Sequence, residues 1–340
     1  MHVLNTLRNR VGAMANVFLP PEQEVFKGND DPAVNVVLVG LRWDYGSRLN
    51  GDGFEYRRFI PGLINLSNTV YFVPIEAKRA IVPQIRTLAR NVLDSRKTVI
   101  LSVFKHLKEI PNNYFTLSEE GYCLVNWYTD DDMLFDPFSK HIAKRFDLNI
   151  TTFEPILPRY KSINARAIAS QWAGIDGYGF PECREYAACF VGRMYGRRSS
   201  LIKRLRKEFG DKVFIHDTQV KPISDEAMLS AYQNSWLAID EPTAFDGRTK
   251  QIKARVFENA SLGCLVLTKP NRRIARYYEP NKEIAFWETI PELIRIIRDC
   301  IDDPCIYTRM ARLAHQRTQR EHLYEHRFRN VLQYCWRPNK

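Results

Sequence analysis

Short apolar runs rich in β-branched residues alternate along this chain with amphipathic helical stretches, and that alternation leaves few folds open. The clearest run is Val34-Asn35-Val36-Val37-Leu38-Val39-Gly40, entered through Asp31-Pro32 and left through a glycine. Apolar side chains at nearly every position mark a strand covered on both faces, as in a parallel sheet. It is expected to be the first strand of its sheet. A loop with Gly46, Gly51 and Gly53 follows, and residues 54–66 read as a helix, which together open a Rossmann-like unit. Further strands are expected at residues 69–74, 98–104, 122–128 and 148–153, with helices at 80–95 and 139–145.

The second half repeats the rhythm. Strands are expected at 187–191, 213–216, 236–239 and 264–268, and helices at 199–209, 225–234 and 253–262. Between the halves lies Gly174-Ile175-Asp176-Gly177-Tyr178-Gly179-Phe180-Pro181, rich in turn formers. A chain of 340 residues exceeds what one core usually serves. The expected fold class is therefore α/β, with two Rossmann-like, doubly wound parallel-sheet domains facing a central cleft. The first covers residues 1–178 and the second 179–318, while a terminal helix within 319–340 packs back on the first. Short-period repeats are absent, which excludes solenoids and propellers.

Charge narrows the choice of partner. Fifty lysines and arginines against 39 acids give a formal charge of +11 and a pI near 9.3. The excess suits nucleotide phosphates, an anionic lipid surface or nucleic acid, and equally a solvated basic surface, since it is spread along the chain. Seven cysteines without a CxxC pair suit a reducing compartment and argue against structural zinc. The apolar patch at residues 11–19 is too short for a membrane span and has the wrong flanks for a signal peptide. A cytoplasmic protein is expected, with peripheral contact to an anionic membrane left open.

The most informative segment runs from Lys253 through Arg255, Val256-Phe257-Glu258-Asn259-Ala260 and Gly263 to Thr268. Such a helix, closed by a glycine and leading into an apolar strand, points its amino terminus at the mouth of a parallel sheet, where nucleotides bind. This run resembles a block of the CgeB-type (spore-maturation-protein-like) glycosyltransferases, relatives of glycosyltransferase family 4. Further blocks follow in the family's order. They are Trp127-Tyr128-Thr129-Asp130-Asp131, Phe190-Val191-Gly192 with Arg198 and Leu201, Tyr232-Gln233-Asn234-Ser235-Trp236-Leu237-Ala238-Ile239, Glu279 to Glu283, and Glu292-Leu293. The resemblance runs from about Asn35 to the carboxyl terminus. It implies the GT-B arrangement and transfer of a sugar from a nucleotide sugar, UDP- or GDP-linked, with no cofactor and no metal.

The resemblance also implies roles for residues. Glu258 corresponds to the glutamate that accepts the donor's ribose hydroxyls, although an acid in a first helical turn also serves to complement the dipole. Family 4 relatives carry another glutamate eight residues earlier, near the transferred sugar, where this chain has Lys250. Arg198, with Arg193 and Arg197 as alternates, follows the turn that starts at Gly192 and suits a diphosphate, and Lys253 and Arg255 would supply further cations. His216 and Asp240 end strands near the expected nucleotide, with Asp246 and Arg248 close behind Asp240. Asp130 or Asp131 would act as base on the acceptor hydroxyl or bind it, unless the triplet Asp130-Asp131-Asp132 simply caps a helix. The loop with Gly46, Ser47 and Arg48 is placed for acceptor or phosphate. Its glycines miss the GxGxxG spacing of dinucleotide enzymes.

The acceptor is expected to be a glycan, a lipid-linked sugar or a protein. Two alternatives stand beside transfer: an epimerase-like sugar-nucleotide enzyme, and a basic nucleic-acid-binding or scaffold protein on a degenerate frame. No specific nucleic acid is expected as a partner.

Overall fold

The structure, a computed structural model, describes residues 24–27, 34–91, 94–194, 197–242 and 251–335. Lys250, Asp246 and Arg248 lie outside the described residues, as do Gly196 and the Arg197 side chain.

Among the described residues the first sheet has seven strands. In chain order the elements are β1 (Glu24–Lys27), β2 (Asn35–Gly40), α1 (Phe54–Ile64), β3 (Thr69–Pro74), α2 (Ile81–Asn91), β4 (Thr98–Ser102), α3 (Thr116–Glu119) and β5 (Cys123–Tyr128). A broken helical stretch follows, made of α4 (Asp131–Leu134), a π turn (Phe135–Ser139) and α5 (Lys140–Ile142). Then come β6 (Leu148–Thr151), α6 (Leu157–Ser162) and β7 (Ala167–Ala169). The spatial order is β1-β3-β2-β4-β5-β6-β7, and only β1 runs antiparallel, against β3.

Among the described residues the second sheet is wholly parallel. Its elements are β8 (Tyr186–Gly192), α7 (Arg197–Phe209), β9 (Val213–Asp217), α8 (Asp225–Gln233), β10 (Ser235–Ile239), α9 (Ala254–Ser261), β11 (Leu265–Thr268) and β12 (Ala285–Phe286), in the order β12-β11-β10-β8-β9. Three helices end the described residues: α10 (Ile290–Asp302), α11 (Cys305–Glu321) and α12 (Tyr324–Cys335).

The near-continuous apolar runs are explained by burial on both faces. Along β2, Val37 and Val39 pack into one core with Ile81, Val82 and Ile85 of α2, while Val36 and Leu38 pack into another with Phe59 and Leu63 of α1 and Phe328 and Val331 of α12. The alternation follows from the period of two along a strand. In the second sheet Phe190, Leu237 and Leu265 face α7 and α10, whereas Cys189, Val191 and Ala238 face α8. Helices on both faces of each sheet make both doubly wound. All seven cysteines are free thiols. Among the described residues no helix is long and apolar enough to cross a membrane.

Two expectations are corrected. Residues 34–40 are not the first strand, because β1 precedes them at the sheet edge. Its four residues, Glu24 to Lys27, carry charges at both ends, as edge strands tolerate. The helix expected at 139–145 is the end of the broken stretch that starts at Asp131. There Pro137 has no backbone N–H to continue the ladder, and the turn widens around it.

Candidate functional site

Loops that follow strands build the site, because the carboxyl ends of the two sheets face each other. Arg193, just after β8, lays its guanidinium 4.9 Å from the ring of Tyr45, which follows β2. Asp132, after β5, accepts a hydrogen bond from Gln251 Nε2, and Arg276 pairs with Glu154, which follows β6. In open α/β sheets this edge is where ligands bind.

On the second sheet's side the site is dominated by cations held around one acid. Asp240, at the end of β10, is buried and accepts a hydrogen bond from Thr268 Oγ1 at 2.7 Å. Burial pushes its pKa up, against that hydrogen bond and the charges of Arg255, Lys253 and Arg198. Burial likewise pushes the Lys253 ammonium down, against the pull of Asp240 and Asp130. Arg198 donates from Nη2 to the Glu241 carbonyl at 2.7 Å, which fixes its fork beside the same strand end. Arg255, in the first turn of α9, lies flat over Gly192: a methyl group there would stand 2.8 Å from its Nη1. Gly192 thus opens the space that the guanidinium fills. His216 donates from Nε2 to the Lys221 carbonyl at 2.8 Å, closing its own turn.

The acid triplet after β5 divides into three environments. Asp131 is fully buried, and its carboxylate oxygens accept hydrogen bonds from the Ser139 hydroxyl at 2.5 Å and the Tyr160 hydroxyl at 2.7 Å. Both oxygens are thus engaged inside the first lobe, and complete burial keeps this carboxylate away from an acceptor. Asp132 is drawn to Gln251, which also bonds Lys253. Asp130 is half-buried, its carboxylate accepts, among the described residues, the neighbouring Thr129 hydroxyl at 3.0 Å, and it lies in the field of Lys105 and Lys253.

Next to Asp130 a half-buried lysine pairs with a buried acid. Lys105 Nζ stands 3.2 Å from Glu55 Oε1, and Glu55 Oε2 is buried without a partner among the described residues. Burial would lower the Lys105 ammonium, but Glu55 outweighs it and the pKa sits above its ordinary value.

The first loop is rigidly tied at its root. The backbone N–H groups of Arg42 and Trp43 donate to the Glu76 carboxylate at 3.1 to 3.2 Å, so these two point at a side chain of the protein itself. Beyond them, Gly46 takes φ +71°, Ser47 N–H donates to the Asp44 carbonyl, and Arg48 stacks over Trp43 at 5.3 Å.

Glu258 lies in the gap between the lobes and is 6% exposed. Its Oε1 accepts from Arg58 Nε at 2.8 Å, across from α1. The other two guanidinium nitrogens of Arg58 clasp Asp225 of α8 at 2.8 and 2.6 Å, and Arg57 also pairs with Asp225. Burial works against the Asp225 carboxylate, but Arg58 and Arg57 outweigh it and hold its pKa below the ordinary value. A depressed acid contributes stability above its unfolded-state pKa and loses it as pH falls through the folded-state one. The clamp is therefore at full strength near neutrality, starts to weaken below about pH 4 and is lost as pH falls through the depressed folded-state value. Thermal melts between about pH 7 and about pH 3 should show an acid-limb loss that shrinks in Asp225→Asn. Equal slopes for the two proteins would remove this clamp from the acid limb.

Sequence reading brings Asp240, Lys253, Arg255, Arg198 and Gly192 to one edge, and the structure places them there. It misses Arg57, Arg58, Asp225, Glu55 and Lys105. One signal was available: in α1 the buried positions are Glu55, Arg58, Phe59, Ile60, Gly62 and Leu63, so two charges lie on the core-facing stripe of the helix.

Residues 190–333 match a family model described as "Glycosyl transferase-like". No curated protein matches the chain significantly. Among solved structures, TarM is 11% identical, with 74% of this chain and 57% of that one covered at a TM-score of 0.51. This chain therefore spans little more than half of TarM. AviGT4, a glycosyltransferase involved in avilamycin A biosynthesis, is 11% identical, with 88% and 97% covered at 0.51. A glycosyltransferase from Rickettsia africae ESF-5 is 9% identical, with 89% and 98% covered at 0.52. Identities this low speak for the fold alone. The chain accordingly has the α/β GT-B fold, and its residues 190–333 carry a glycosyl transferase-like domain.

Proposed function

We propose that this protein transfers a sugar from a nucleotide-sugar donor to a hydroxyl of a glycan or lipid-linked acceptor, in the manner of the CgeB-type enzymes that its sequence resembles. One observation carries the reading: Arg255, Arg198 and Lys253 converge on Asp240 at the carboxyl ends of β8 and β10, beside the amino terminus of α9 and with Glu258 on the same helix. Cations and a helix terminus set together suit a diphosphate, and a carboxylate on the same helix suits its ribose.

In this reading residues 179–318 hold the donor and residues 1–178 the acceptor. Charge developing on the departing nucleoside diphosphate is met by Arg255, Arg198 and Lys253, whose positions are fixed before the reaction, so no divalent ion is assigned to that task. Arg193 stays at the rim. Asp130, rather than Asp131, bonds the acceptor hydroxyl, because Asp131 is fully buried with both oxygens engaged inside its lobe.

A thermal-shift panel of UDP-, GDP-, ADP- and dTDP-sugars, run on the wild type and Glu258→Ala, tests the donor site. At 100 times Kd the matching donor should stabilise the wild type by about 2.7 kcal/mol. The variant should gain far less. A panel in which no nucleotide sugar shifts the wild type, or in which both proteins respond alike, would overturn the reading.

A further inference from the structure

We propose that Arg58, on the first lobe, positions the ribose-binding carboxylate of the second, so that the donor site is complete only where the lobes meet. The proposal rests on the donor-site reading above and goes a step beyond it, since it assigns part of that site to the acceptor lobe.

Three N–H groups of Arg58 are committed. Nε donates to Glu258 Oε1 at 2.8 Å, while Nη1 and Nη2 donate to the two oxygens of Asp225 at 2.8 and 2.6 Å. A planar guanidinium held at three points cannot rotate, so the Glu258 oxygen it touches is fixed in space. Asp225 is itself anchored in the first turn of α8, where Ser224 caps the helix. Arg58 is 5% exposed and Glu258 6%, so the pair is shielded from water.

The arrangement uses one Glu258 oxygen and leaves the other. Oε2 has no hydrogen-bond partner among the described residues. A carboxylate with one oxygen pinned and the other open can accept from a vicinal diol without first paying to order its own rotamer. Arg58 also supplies the counter-charge that a carboxylate so deeply placed requires. It would touch no reacting atom and would act through Glu258, as a positioning residue.

Discrimination between ribose and 2′-deoxyribose reads this role, because a merely structural arginine would not change it. UDP, GDP and ADP, each beside its 2′-deoxy form, are titrated calorimetrically into the full chain. The wild type is expected to prefer the ribonucleotide it binds by roughly tenfold or more, the size of one charge-assisted hydrogen bond. Arg58→Ala and Arg58→Lys should bring that ratio close to one, since lysine keeps the charge but not the fork. Asp225→Asn should lower it part of the way. Should Arg58→Ala fail to fold, Arg58→Lys and Asp225→Asn carry the test. A wild-type ratio in Arg58→Lys, with the ratio abolished in Glu258→Ala, overturns this inference and leaves the donor-site reading intact. A wild type without preference overturns both.

Discussion

Gly53→Ala is expected to cost about 3 kcal/mol of stability, toward the upper end for overpacking, because neither partner in the contact can move away. A methyl group at Gly53 would stand 2.0 Å from the Leu41 carbonyl oxygen and 2.8 Å from its carbon. Both are backbone atoms at the exit of β2. The glycine is drawn into this position by its N–H, which donates to the Arg42 carbonyl at 2.8 Å, and by the Trp43–Asp52 bridge beside it. Its own carbonyl accepts from Arg57 in α1. With φ at −63° the position demands nothing of the backbone that alanine cannot adopt, so the whole effect is contact. The unfolded-state gain from replacing glycine, about 0.4 to 1 kcal/mol, is smaller than the clash. Gly46→Ala is the contrast, with φ +71° but open space around it, and should cost about 1 kcal/mol. Urea midpoints at unchanged m-value decide the matter. A loss at Gly53 no greater than at Gly46 would show that loop and strand exit part easily.

The largest effect on activity is expected at Arg255. Arg255→Ala should lower kcat/KM by about 10²- to 10³-fold, the loss typical of removing one donor from a site built to meet developing charge. The side chain lies over Gly192 at the end of β8, beside the strand that ends in Asp240, so its guanidinium is held in advance of any ligand. Gly192→Ala gives a graded version of the same experiment. Its methyl group would meet the tip of a flexible side chain, so the guanidinium would shift by a few tenths of an ångström and activity should fall less than in Arg255→Ala. Both variants should melt close to the wild type, since no apolar core is opened. A full-length Arg255→Ala that keeps activity within tenfold would remove this arginine from the reaction.

The strand and helix rhythm was legible because parallel strands buried on both faces carry little else than apolar side chains, as in Val36 to Val39 and Leu265 to Leu267. Elements that depend on a neighbour were not. β1 is too short and too charged to announce itself, and β12 has only Ala285 and Phe286. Within the site, the cations gathered along residues 192–198 and 253–255 were legible because they flank turns and a helix start. Arg58 was not, since its partners Asp225 and Glu258 lie 167 and 200 residues away and nothing local records such a pair. The triplet at Asp130 reads as three equivalent acids. Only the fold, by offering Ser139 and Tyr160 to Asp131, separates them.

The helix α12 sits against α1 so closely that a methyl group on Gly62 would stand 2.7 Å from Tyr324 Cβ, and Asn65 meets Glu325 across 260 residues of sequence. Phe328 and Val331 are part of the first lobe's core. During synthesis, then, the sheet formed earliest waits for side chains that leave the ribosome after the whole second lobe. Until they arrive the α1 face stays bare, so a nascent chain would depend on chaperone cover, and its two halves would acquire their final stability together.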